Sequence, residues 1–347
     1  MRNRSRDFFL LSLFVLFFQS STEAFLSKRV AAPPLIVRQA ASRTSDTNLQ
    51  NYESMLECAG VTKQAFQGKS VLLTGASGGL GKELAIQLAE CQVRQLVLSG
   101  RNLASLEGVA TECKRVYPSL TTHVITCDLA DKQSVRQLGE RAISMCDAID
   151  VLINNGGVSS RGTFLDTSLE VDEQVMQINF FAGASLAKAV VPNMVTNGSG
   201  KIIWISSVQG LVGIPSRTSY AASKFAVQGY CESLRAELAS SGIAVHVVSP
   251  GYIRTNLSKS ALTGDGTAHG KMDETTAKGK PPKEVAVSLL NGVAKGKGDI
   301  VVAATLSAKV AIWLRFLFPK LLQKILVKRF EKSRKAEAEE AARQKVD

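Results

Sequence analysis

Histidine is nearly absent from this chain: His123, His246 and His269 are all there is. Nor do the six cysteines, Cys58, Cys91, Cys113, Cys127, Cys146 and Cys231, form a CxxC pair or a close set with a histidine. A structural zinc site therefore lacks ligands, and neither a metal nor a required disulfide is expected; the thiols read as small buried hydrophobes. Proline is sparse as well, at 9 of 347 residues, and 45% of the chain is apolar. Such a chain is neither a disordered Pro-rich polymer nor a disulfide-stapled miniprotein. Residues 8–18 are nearly all apolar, but this run falls well short of the about 20 residues that span a bilayer.

The body also lacks an excess of either charge. Of the formal net charge of +12, residues 1–45 account for +5 and residues 309–347 for +6, which leaves +1 on the 263 residues between. A nucleic-acid reader carries its basic stripe on the folded body, so no nucleic acid is expected as a partner and the charge is assigned to the ends. A basic start, the apolar run and the small residues around Thr22-Glu23-Ala24 make residues 1–24 a signal peptide or signal anchor. Residues 25–60 read as a linker or transit-like segment, since 25–45 hold four basic residues and no acidic one. The expected location is the endoplasmic reticulum or endomembrane. The alternative is a plastid, because the two segments together resemble the bipartite leader of algae with complex plastids.

Residues 306–347 read as amphipathic basic helices and a tail. Val310, Leu314, Leu317, Leu321, Ile325 and Leu326 recur at helical spacing, interleaved with Arg315, Lys320, Lys324, Lys328 and Arg329. That pattern suits a helix lying in a membrane interface, with packing against the domain or a second subunit as the rival reading. Pro319 is expected to divide it into two short helices, followed beyond Glu331 by a solvated helix or loose tail.

Between the ends, apolar runs of strand length occur at 70–73, 95–98, 123–126, 151–153, 201–205, 244–248 and 300–302. Longer segments of helical periodicity, such as Leu80, Leu84 and Leu88, separate them. The alternation predicts an α/β class: a Rossmann-like doubly wound sheet of about seven parallel strands with helices on both faces, in a single domain. Residues 256–282, rich in Gly, Thr and Lys, follow the sixth strand and are placed to cover a ligand beyond the carboxyl ends of the strands.

The first strand runs into Thr74-Gly75-Ala76-Ser77-Gly78-Gly79-Leu80-Gly81. Glycines there permit a tight turn and let backbone amides approach a pyrophosphate at the positive end of a helix. The second strand ends in Ser99-Gly100-Arg101-Asn102. No acidic side chain is present to accept from a ribose, whereas Arg101 supplies a cation for a 2′-phosphate, so NADP(H) is preferred with NAD(H) as the alternative. Tyr220 and Lys224 stand four apart on one helix face, and Ser207 ends the fifth strand.

The spacing TGxxxGxG, together with Ser207, Tyr220 and Lys224, resembles the short-chain dehydrogenase/reductase family over about residues 65–305. The resemblance implies that these three are catalytic and that Asn179 is a fourth catalytic residue, anchoring a water beside the lysine. It implies cofactor contacts from Gly75, Ser77, Gly78, Gly79, Leu80, Gly81, Arg101, Asn102, Asp128, Leu129, Asn155, Gly156, Tyr220, Lys224, Pro250, Gly251, Ile253 and Thr255. Asn154-Asn155-Gly156-Gly157 departs from the family's NNAG by a Gly in place of Ala, which is expected to loosen that turn. Ser206 to Gly210, Ser249 to Ser258 and Gly270 to Ala277 resemble the dehydrogenase/reductase member 7 group more closely.

That resemblance implies an oxidoreductase moving a hydride between NADP(H) and the carbonyl or secondary alcohol of a lipophilic substrate at a membrane surface, with a homodimer through helix 220–239. In it Tyr220 donates the proton, Ser207 binds the oxygen and Lys224 tunes the phenol. Bringing a phenol from a pKa near 10 to about 7 takes roughly 4 kcal/mol, and one cation at about 4 Å supplies that order of energy at an effective dielectric of about 20. Alternatives are a 3-ketoacyl or 3-ketosphinganine reductase and, in another class, a catalytically inactive dinucleotide-binding scaffold.

Overall fold

The computed structural model describes residues 60–344. The segment read as a signal, the one read as a linker (save residue 60) and Cys58 lie outside the described residues. Helical residues 60–66 seat Phe66 in the core before the first strand.

The seven apolar runs are strands of one sheet: β1 Ser70–Thr74, β2 Gln95–Gly100, β3 Thr121–Thr126, β4 Val151–Asn154, β6 Gly200–Ile205, β7 Ile243–Pro250 and β9 Asp299–Val302. Their order is β3-β2-β1-β4-β6-β7-β9, and every neighbouring pair is parallel. The apolar runs 71–73 of β1 and 151–153 of β4 follow from burial on both faces. Two short strands that periodicity could not reveal, β5 Ser160–Arg161 and β8 Leu262–Thr263, form a separate parallel pair.

The helices are α1 Gly79–Glu90, α2 Leu103–Val116, α3 Lys132–Cys146, α4 Leu169–Met176, α5 Ala182–Thr196, α6 Thr218–Leu238, α7 Glu274–Ala277, α8 Pro282–Ala294, α9 Leu306–Leu317 and α10 Pro319–Gln344. A π-helical turn, Gln177–Phe181, joins α4 to α5. One core layer packs Leu84, Leu88, Leu106 and Leu289 against one face of the sheet; the other packs Leu138, Leu186, Val190 and Trp204 on the opposite face. Among the described residues, one segment, Leu169–Thr196, is long and apolar enough to cross a membrane, and it is half buried as a core helix of this second layer.

Cys91, Cys113, Cys127, Cys146 and Cys231 are buried, and burial pushes their thiols upward. Pro319 does divide the terminal helices, but the second is not short: α10 runs 26 residues. Proline is tolerated in the first turn of a helix, where its missing N–H has no partner to lose, so it starts α10 as readily as it ends α9.

Candidate active site

Strand order reverses between β1 and β4, and a crevice opens beyond their carboxyl ends. The two strands are tied there by side chains. Thr74 Oγ1 accepts from the Asn155 and Gly156 amides at 3.1 and 3.0 Å, and Asn155 Nδ2 donates to the Thr74 and Gly75 carbonyls at 2.9 and 3.2 Å. Gly75 has φ +65°, and a Cβ there would lie 2.7 Å from Gly156 Cα. A Cβ on Gly81 would lie 2.0 Å from the Gly75 carbonyl oxygen. Only glycine lets the turn fold this tightly onto the start of α1. At Gly156, a Cβ would meet Leu129 Cδ1 at 2.5 Å, so the Gly for Ala exchange leaves room that Leu129 fills.

The crevice has a volume of about 430 Å³. The Gly-rich turn (Gly75, Ser77, Gly78, Gly79, Leu80, Gly81) lines it, as do Arg101, Asp128, Leu129, Asn155, Gly156, Pro250, Gly251, Ile253 and Thr255. Ser207, Tyr220 and Lys224 line the same crevice.

Asn102 and Asn179 are not in its wall. Asn102 is the N-cap of α2: its Oδ1 accepts from the Ser105 amide at 2.8 Å. That bond satisfies an orphan helix donor. Asn179 sits behind the wall in the π-helical turn, where it accepts from the Val158 amide at 2.8 Å and donates to the Val158 carbonyl and Ser223 Oγ, both at 2.9 Å. Its side chain is spent on fixing the segment after β4.

Ser207 follows β6 as the N-cap of a 3₁₀ turn, accepting from the Gln209 amide at 3.1 Å. Tyr220 and Lys224 lie in the first turns of α6 and are 6% and 5% exposed. The Lys224 ammonium donates to the Ile205 carbonyl at 2.9 Å and lies 5.6 Å from the centre of the Tyr220 ring. Burial draws Lys224 down to about 8. Burial likewise raises the Tyr220 phenol, against the pull of a hydrogen bond with Ser207 and the charges of Arg217 and Arg161. The Lys224 nitrogen donates to a backbone carbonyl, and the guanidinium groups of Arg217 and Arg161 bear on the phenol beside it. Tyr220 stays protonated at neutral pH, which suits a proton donor.

Sequence spacing offered no signal for Arg161 or Arg217, and it marked Thr74 only as the first residue of the Gly-rich turn. Arg161 belongs to a two-residue strand, and Arg217 precedes α6 without a motif. Gln228 holds the floor of the site, donating to Ser206 Oγ at 3.2 Å and Ser249 Oγ at 2.8 Å. For Gln228 there was a hint in position, one helical turn after Lys224 on the same face.

A glycine-built crevice at a switch point, with a serine, a tyrosine and a lysine buried along its wall, defines a nucleotide-crevice oxidoreductase of the short-chain kind. The family model for short chain dehydrogenase matches residues 69–265, and the chain belongs to that family. Two curated relatives carry the name dehydrogenase/reductase SDR family protein 7-like or member 7B. The Anopheles gambiae protein is 43% identical over 270 residues, covering 76% of this chain and 84% of the relative. The Danio rerio protein is 43% identical over 270 residues, covering 77% and 87%. Among solved structures, a short-chain dehydrogenase from Sphingobium yanoikuyae in complex with NADPH superposes with TM-score 0.60 at 27% identity, covering 67% of this chain and 87% of that one. A short-chain dehydrogenase/reductase from Burkholderia phymatum in complex with NAD shares the fold, with TM-score 0.64 at 21% identity over 74% of this chain and 95% of that one.

Proposed function

We propose that the chain is an NADP(H)-dependent oxidoreductase that interconverts the carbonyl and secondary alcohol of a lipophilic substrate at a membrane surface. The observation that carries this reading is the convergence of Ser207, Tyr220 and Lys224 in one crevice with the Gly-rich turn of α1. The dinucleotide fits the crevice: its pyrophosphate suits the turn where Gly75 and Gly81 leave no space for side chains, at the positive end of α1. Arg101 lines the adenosine end with no carboxylate beside it in Ser99-Gly100-Arg101, which favours the 2′-phosphate, and the Sphingobium relative was solved with NADPH.

When bound, the cofactor supplies or accepts the hydride. In reduction Tyr220 gives its phenolic proton to the substrate oxygen while Ser207 hydrogen-bonds that oxygen, and the phenolate left behind is stabilised by the neighbouring cations. Lys224, buried and donating to the Ile205 carbonyl, would hold the cofactor ribose. Asn179 is a positioning residue for the segment after β4. Val158, Ile178, Val208 and Leu257 give the crevice apolar surface for a lipophilic substrate.

Membrane contact is assigned to α9 and α10, where Val310, Phe316, Leu317, Phe318, Leu321 and Ile325 are exposed among Arg315, Lys320, Lys324 and Lys328. An endomembrane location through the N-terminal leader and a homodimer through α6 complete the reading. Turnover of NADPH against a panel of lipid ketones and aldehydes tests it. The parent chain is expected to turn over at least one, with Tyr220→Phe slower by about 100-fold or more at unchanged NADPH affinity. Equal rates for parent and variant would overturn the reading.

A further inference from the structure

Arg161, Arg217 and Asp273 come from β5, from the residue before α6 and from the loop 256–282, and they meet at one carboxylate oxygen. Asp273 Oδ2 accepts from Arg161 Nη2, from Arg161 Nε at 3.2 Å and from Arg217 Nη2 at 3.1 Å, while His269 Nε2 stands 3.7 Å from Oδ1. Arg161 is fixed further by Nη1, which donates to Ser159 Oγ at 2.6 Å and the Ser160 carbonyl at 2.7 Å. The three side chains are only 13%, 14% and 18% exposed. One carboxylate offsets one guanidinium, so the cluster keeps an uncompensated positive charge where such a charge is costly. Burial, followed by the charge of Arg161, accordingly draws Arg217 below the usual arginine range. A latch serving only to hold the loop would be complete with one arginine.

The surplus charge lines the same crevice as the Tyr220 phenol. Arg217 is the N-cap of α6, three residues ahead of Tyr220. The Tyr220 amide donates to Ser160 Oγ at 3.3 Å, and Ser160 immediately precedes Arg161. Both arginines line the crevice with Tyr220. The groups that face Tyr220 are Ser207 after β6, Lys224 on its own helix, Arg217 at its N-cap, Arg161 from β5 and Tyr252 after β7. Of these, Ser207, Arg217 and Arg161 favour the phenolate and Tyr252 opposes it.

We propose that Arg161 and Arg217, held in place by Asp273, are positioning residues that supply the positive field at the Tyr220 oxygen, with Asp273 moderating that field from the substrate-side loop. In the proton transfer the phenolic O–H bond breaks, the proton moves to the substrate oxygen, and the arginine pair stabilises the phenolate that remains. The role rests on the reading of Tyr220 as proton donor. Asp273 lies beyond the matched residues 69–265, so the family match does not cover it.

The test titrates Tyr220 in the full chain by its phenolate absorption, taken as the difference between each protein and the same protein carrying Tyr220→Phe. In parallel it records the pH profile of alcohol oxidation with NADP⁺, where activity rises as the phenol ionises. Arg217→Gln and Arg161→Gln are expected to move both curves to higher pH by about one pH unit, and Asp273→Asn to lower pH by a similar amount. Arg217→Lys, which keeps the charge, is expected to recover most of the parent curve. Opposite signs from removing a cation and removing an anion are an electrostatic signature that loosened packing does not produce. Shifts of the same sign, or none, would overturn the proposal, and should one arginine variant fail to fold, the other and Asp273→Asn decide. If no protein turns substrate over, the oxidoreductase reading fails while the absorption titration still judges the charge cluster. If turnover depends on Tyr220 and the titration curves coincide, the cluster proposal fails alone.

Discussion

Replacing Lys224 by methionine is expected to make the protein more stable while removing its activity. Lys224 is 5% exposed, and burial draws its ammonium down from 10.5 to about 8. At about 1.4 kcal/mol for each pKa unit, keeping that charge folded at pH 7 costs about 3 kcal/mol relative to the unfolded chain. Against this stands the bond to the Ile205 carbonyl at 2.9 Å, whose loss costs about 1 kcal/mol. Lys224→Met, with a side chain of similar length, therefore gains about 2 kcal/mol at pH 7, or roughly 4 °C in Tm. The gain depends on pH with a definite sign. Below about pH 8 the ammonium is charged in both states and its cost is complete. Between about 8 and 10.5 the unfolded chain binds more protons than the folded one, so the parent gains stability as pH rises and loses its deficit above that window. Urea unfolding followed by circular dichroism at about pH 7, 8.5 and 10 is expected to show parent and variant converging. A variant less stable than the parent at neutral pH, or an offset that ignores pH, would refute the reasoning.

Three further outcomes follow from the same geometry. Gly81→Ala drives a Cβ to 2.0 Å from the Gly75 carbonyl, so dinucleotide affinity by fluorescence titration is expected to fall by about 100-fold with a stability cost of about 2 kcal/mol. Arg101→Asp replaces the cation at the adenosine end of the crevice by a ribose acceptor, and the ratio of kcat/KM for NADPH over NADH is expected to drop by about 100-fold; an unchanged ratio would remove Arg101 from cofactor choice. Phe316→Asp with Leu321→Asp places charges on the exposed apolar stripe of α9 and α10, and cosedimentation with anionic phospholipid vesicles is expected to fall at least about tenfold with no loss of Tm. Binding that persists in the double variant would assign that stripe to another partner.

Much of this protein was legible before any coordinates. Strands β1, β4, β6 and β7 are apolar because both faces of a parallel sheet are covered, and that pattern is written in consecutive residues. The turn from Gly75 to Gly81 was legible for the same reason: close backbone approach admits one residue type, and the requirement repeats at short spacing. Tyr220 and Lys224 are neighbours on one helical face, so four-residue spacing is enough to pair them.

What spacing could not reach were interactions between segments. Asn102 looks identical in sequence whether or not it caps a helix, and only the bond to Ser105 shows the cap. Asn179 was found on its helix, yet its side chain is consumed by Val158 and Ser223, partners 21 and 44 residues away. The length of α10 beyond Pro319 depended on which side of a proline carries the missing donor. Arg161, Arg217 and Asp273 share no motif, and residues separated by 56 and 112 positions meet only after β5 pairs with β8 and the loop folds back across the crevice. Local chemistry determined the strands, the turn and the tyrosine's helix, because each obeys a short-range rule. Where charge gathers around that tyrosine was decided by the tertiary structure, because electrostatic fields add through space and not along the chain.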